Sequence, residues 1–61
     1  MNIGPSQSDL ALLQSAYSGN ATAADAAILA GANVNVFDAQ GNTPLHYAAG
    51  RGYDTIVLSL L

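Results

Sequence analysis

The chain has 61 residues, 51% hydrophobic and only 8% charged, with a formal net charge of −3 and no cysteine. That length allows one small domain, whose core is marginal without a disulfide, a metal or a partner, and the absence of cysteine removes disulfides and thiolate metal sites. Arg51 is the sole strong base against Asp9, Asp25, Asp38 and Asp54, so binding to nucleic acid by phosphate neutralisation is excluded.

No run approaches the roughly 20 apolar residues of a membrane span, and "MNIGPSQSDL" lacks the basic start and apolar run of a secretory signal. Globular chains usually carry about a quarter charged residues. So low a charged fraction predicts that other protein covers much of the surface.

In chain order, residues 1–8 read as a flexible leader. A first helix follows, capped by Ser8 or Asp9, with Leu10, Leu13 and Ala16 or Tyr17 on one face. Gly19 ends it. Ala23, Ala24, Ala27 and Ile28 form the stripe of a second helix, closed by Gly31. In "ANVNVFDAQGNTPL" Val34 and Val36 alternate with polar residues, and Asp38 and Gly41 bracket a tight reversal. The expectation there is an extended finger, a β-hairpin loop.

Thr43 then offers an oxygen to the free amides of a third helix, and Pro44 sits where its missing N–H costs nothing. Leu45, Ala48 and Ala49 recur at i, i+3 and i+4, and Gly52 ends the helix. Asp54 and Thr55 start a fourth, with Ile56, Val57, Leu60 and Leu61 in helical register.

The two halves repeat. Ala16 and Ala49, Gly19 and Gly52, Leu12 and Leu45 each stand 33 residues apart, a spacing characteristic of stacked helical units. The first unit, with its finger, covers residues 9–40 and the second residues 41–61.

"GNTPLHYAAGRGYDTIVLSLL" and "GNATAADAAILAGANVN" resemble ankyrin repeats. The first carries the G-x-TPLH-x-AA-x-x-G pattern and the second a helix ending in G-A-x-V-N. The first unit has "LALL" in place of TPLH, as a terminal capping repeat does, and the second stops at Leu61, before the glycine that would close it. The resemblance implies an all-α fold of about two helix-turn-helix repeats, the second truncated, with one β-hairpin finger. It also implies a non-catalytic module for protein–protein interaction or scaffolding, without cofactor or metal, from a family that is usually intracellular.

His46 between Asp38 and Asp54 invites a catalytic reading, but no nucleophile or pocket accompanies it. The resemblance makes it structural: its ring bonds backbone at the helix start and ties neighbouring repeats together. Thr43, Pro44, Leu45, Ala48, Ala49, Gly19, Gly31 and Gly52 belong to the same structural pattern. Asn20-Ala21-Thr22 matches a glycosylation acceptor of low specificity. Asn35 takes the position where some ankyrin repeats are hydroxylated, although Asn33 replaces the usual acid nearby. Hydrogen bonding within the loop accounts for both asparagines.

By position in the family, the contact surface falls on Phe37, Ala39, Gln40 and Asn42 of the finger and on Gln14, Tyr17, Ser18, Tyr47 and Arg51 of the first helices. Tyrosine and arginine are types in which binding energy concentrates. One repeat cannot bury its apolar faces alone. A partner, the rest of a larger assembly or a second copy is therefore expected to cover Ile56, Val57, Leu60 and Leu61. Permanent burial in such an assembly is the alternative to a reversible binding role.

Overall fold

Helices begin where a short polar side chain can accept from an amide that the helix leaves free. In the computed structural model, which describes residues 5–61, four helices form: α1 (Gln7–Ser18), α2 (Ala21–Leu29), α3 (Pro44–Arg51) and α4 (Asp54–Leu60). The cap of α1 is Ser6, not Ser8 or Asp9. Ser6 Oγ accepts from Asp9 N–H at 3.1 Å while Ser6 N–H donates to Asp9 Oδ2 at 3.0 Å, a reciprocal capping box. The expected leader thus ends in helix at residues 7–8, and its first four residues lie outside those described.

Asn20 caps α2 through Oδ1, which accepts from Ala23 N–H at 3.1 Å. Thr43 caps α3, with Pro44 following in the first turn. Tyr53 precedes α4 without a side-chain cap, and Asp54 falls inside the first turn, where its negative charge favourably meets the positive end of the helix dipole.

The 33-residue repeat is visible in the backbone. Gly19 and Gly52 both take the left-handed conformation, at φ 82° and 75°, that terminates a helix without a Cβ clash. Beyond them Asn20 N–H and Tyr53 N–H each reach back to Ser15 O and Ala48 O at 2.9 Å. Two helical hairpins result, and they stack: α1 packs on α2 and α3, and α4 on α3 and α2.

The core is a seam between hairpins. Leu12, Ala16, Ala24, Ala27, Ala48 and Ile56 form one buried cluster, in which the small alanines let helices approach and Leu12 and Ile56 supply bulk. Each of the two contributes about 2–3 kcal/mol by burial. Leu10 and Tyr17, expected on the inner face of α1, are half exposed, and Leu12 takes the central place. The helical register is right but rotated, because α1 turns its stripe toward α3 as well as α2.

The expected exposed face also changes. Ile56 is 1% exposed, and Val57 and Leu60 pack against the core. In the second unit the apolar side chains left exposed are Leu45, Ala49, Leu58 and Leu61. Leu45 and Ala49 are the 33-residue counterparts of Leu12 and Ala16, which lie wholly buried against the second unit.

No strand forms among the described residues, so the finger is not a β-hairpin. Its backbone makes single turns instead: Val36 N–H to Asn33 O, Gly41 N–H to Asp38 O and Asp38 N–H to Asn42 O, each at 3.0 Å. Side chains take amides that a ladder would need, with Asn33 Oδ1 accepting from Asn35 N–H and Asp38 Oδ1 from Gln40 N–H and Asn42 N–H.

A Cβ at Gly19 would stand 2.8 Å from Tyr53 Cζ, whereas one at Gly52 would meet nothing within 4 Å. Both substitutions with alanine incur the left-handed cost of about 1–2 kcal/mol, and Gly19→Ala should cost more because it unseats the Tyr53 ring. Urea midpoints of the two variants measure the difference, and equal losses would show that the ring shifts freely. Leu12→Ala should cost about 2–5 kcal/mol, enough to abolish cooperative unfolding in a domain of this size.

Candidate interaction surface

The surface begins with a hydrogen-bond hub in the finger. Asp38 Oδ1 accepts from Gln40 N–H at 3.0 Å and Asn42 N–H at 2.9 Å, while Oδ2 accepts from the Tyr47 hydroxyl of α3. One carboxylate therefore shapes the finger tip and pins it to a helix. The Tyr47 hydroxyl, then the Asn42 amide, hold the Asp38 carboxyl below its ordinary pKa, and the same carboxylate pushes Tyr47 above its own.

Tyr47 then meets Tyr17 of α1 edge to face, with ring centroids 5.4 Å apart and planes at 87°, a favoured aromatic geometry. The Arg51 guanidinium lies 4.3 Å from the Tyr17 ring centroid, within cation–π range. Its place in the last turn of α3 also suits the negative end of the helix dipole, at about 0.3–1 kcal/mol.

Two shallow grooves flank Tyr47. One is lined by Leu13, Gln14, Tyr17, Asp38 and Tyr47. The other is lined by Asn42, His46, Tyr47, Gly50 and Arg51. The structure thus brings together Gln14, Tyr17, Asn42, Tyr47 and Arg51 from both units. Phe37, Ala39 and Gln40 stand exposed on the finger around Asp38, Phe37 to 66%. Ser18 is exposed on α1 and returns its hydroxyl to Gln14 O at 3.0 Å.

His46 closes its own helix start. Thr43 N–H donates to His46 Nδ1 at 3.2 Å, and His46 N–H donates to Thr43 Oγ1 at 3.3 Å. The expected tie to a neighbouring unit is not among its hydrogen bonds, which stay at Thr43. Among the described residues no group of three or more His, Asp or Glu side chains is placed to hold a metal ion, and no helix is long and apolar enough to cross a membrane.

Two residues of this surface escape a sequence reading. Asp38 reads as a turn residue, and its bond to Tyr47 depends on how the finger folds back. Gly50 has a helical backbone in the last turn of α3, and a Cβ there would meet nothing within 4 Å. No steric need explains it, and it weakens the helix by up to about 1 kcal/mol relative to alanine. The signal was present: the AA-x-x-G pattern leaves that position free, and glycine is a costly choice there.

Comparison with known families matches residues 12–61, most of the chain, to the family described as ankyrin repeats (many copies). Comparison with curated proteins finds no match.

Asp38 and Asp9 both have lowered carboxyl pKa values; for Asp9 the Asn33 amide acts first and the Ser6 amide next. A lowered folded-state pKa contributes stability above the unfolded value, lost as pH falls through the folded one. Urea midpoints should therefore fall below about pH 4. Asp38→Asn should lower the midpoint at pH 7 and narrow its gap to the parent at pH 3. A constant gap would place the effect outside the carboxylate. Tyr47, with its raised pKa, acts in reverse: its share is present below about pH 10 and lost above.

Proposed function

The chain belongs to the ankyrin-repeat family, and we propose that it is a protein-interaction module whose binding surface is the face formed by α1, α3 and the finger. Ankyrin repeats are generally protein-interaction modules. The observation that carries the finer reading is the gathering of Tyr17, Tyr47 and Arg51 across two units, with Tyr17 54% exposed and Arg51 on its ring.

Rigid aromatic rings and a pre-oriented guanidinium lose little entropy on contact. Phe37, Gln40 and Asn42 extend the same surface along the finger, and Gln14 along α1. In this reading the chain binds and performs no chemistry of its own.

A second reading has a specific observation in its favour. Leu45 is 37% exposed and Ala49 is open, while their 33-residue counterparts Leu12 and Ala16 are completely covered. Leu58 and Leu61 are exposed as well. Burial of this face in a larger assembly, or against another copy, would make the segment a permanent structural part.

Selecting binders from a random peptide display on the immobilised chain, then mapping each by amide chemical shifts, tests the first reading. Shifts centred on Tyr17, Tyr47, Arg51 and Asn42, with affinity falling at least tenfold in Tyr17→Ala, are expected. Binders that perturb only Leu45, Ala49, Leu58 and Leu61 would reject it in favour of the second. Under the second reading, circular-dichroism melts sharpen and rise with concentration, and Leu58→Lys removes that dependence.

A further inference from the structure

The groove lined by Asn42, His46, Tyr47, Gly50 and Arg51 contains the chain's only strong base and only imidazole, and no carboxylate, in a chain of net charge −3. Among the described residues Arg51 has a stacking partner in Tyr17 but forms no ion pair. Asp38 borders the groove behind Asn42 and Tyr47, but both its oxygens are taken by Gln40 N–H, Asn42 N–H and the Tyr47 hydroxyl, and Asp9 is engaged by Ser6 and Asn33. The guanidinium lies over the Tyr17 ring and its N–H donors form no hydrogen bond among the described residues, leaving a fork of the kind that meets a carboxylate through two parallel bonds. His46 lines the same groove, its Nδ1 engaged at the helix start by Thr43 N–H at 3.2 Å and Thr43 Oγ1 at 2.9 Å.

Gly50 is the independent observation. The free chain has room for a Cβ there and would gain helix stability from one, so nothing within the chain requires the glycine, and it leaves bare backbone on the groove wall. Glycine in a groove permits close backbone approach.

We propose that this groove receives an extended acidic segment of a partner protein, with a Glu or Asp carboxylate on Arg51 and the segment's backbone crossing Gly50. The inference rests on the interaction-module reading and gives that surface its ligand chemistry. A single guanidinium suits a carboxylate; phosphorylated motifs are read by arginine clusters.

The test uses the full chain and two acetylated, amidated hexapeptides, Gly-Leu-Glu-Leu-Glu-Gly and its Gln-for-Glu counterpart, titrated to millimolar concentration and followed by amide shifts. The Glu peptide should bind about fivefold or more tightly, with shifts at Asn42, Gly50 and Arg51. Arg51→Gln should erase the difference between the peptides while leaving the spectrum folded. Gly50→Ala should raise the melting temperature by several degrees yet weaken the Glu peptide at least fivefold.

Equal binding of both peptides on this face would overturn the acid preference and leave the interaction-module reading intact. Absence of shifts on the face would overturn the acid site, and the selected display binders decide the broader reading separately. Preference retained in Arg51→Gln would also overturn the proposal, as would undiminished binding by a stabilised Gly50→Ala. A phosphoserine peptide that binds while the Glu peptide does not would overturn the carboxylate assignment.

Discussion

Everything in this chain hangs on one seam. Neither helical hairpin has enough apolar surface to hold itself closed, so Leu12 from α1 and Ile56 from α4 meet among alanines and bury both stripes at once. The alanines matter as much as the two large side chains, because a bulkier residue at Ala16, Ala24 or Ala48 would push the hairpins apart. With the hairpins in register, Tyr17 and Tyr47 come within ring contact and Tyr53 settles on Gly19. The proposed binding face is thus a by-product of the packing that makes the domain.

Charge is scarce and is used locally. Asp9 joins the start of α1 to the loop after α2 by accepting from Asn33 N–H at 2.7 Å, and Asp38 joins the finger to α3. Two carboxylates thereby replace a strand ladder in fixing the long connection between units. Such loops hold their shape without an exposed edge that could recruit a stray strand. The sole strong base is left out of these networks, which is why its stacking on Tyr17 defines the character of the surface.

Much of this was legible in the residues. Gly19, Gly52, Thr43 and Pro44 announce helix ends and beginnings because few residue types tolerate those positions, and the 33-residue spacing follows from them. The exact rotation of α1 was not legible: Leu10, Leu12 and Leu13 are equally apolar, and only contact with the second unit selects Leu12. The cap moved to Ser6 because the capping box needs an acid three residues on, a role Asp9 fills while reaching Asn33. The alternation of Val34 and Val36 imitated a strand, yet the Asn33 and Asp38 side chains took the amides first. Ile56 was expected outside because it lies in the last helix, but α4 turns that residue inward against α2. Of the candidate contact residues, position in the repeat placed Gln14, Tyr17, Tyr47 and Arg51 on one face, while the Asp38–Tyr47 bond and the spare room at Gly50 arise only from how the finger and helices fold together.

The seat of Tyr53 on Gly19 has a spectroscopic consequence. The chain has no tryptophan and three tyrosines, and each of the three sits at the junction of the two units, Tyr17 against Tyr47 and Tyr53 over the turn after α1. The tyrosine band of the near-ultraviolet circular dichroism therefore senses the docking of one hairpin on the other, while the far-ultraviolet signal reports helix within each. Loss of the near-ultraviolet signal ahead of the far-ultraviolet one would then mark hairpins that separate before their helices melt.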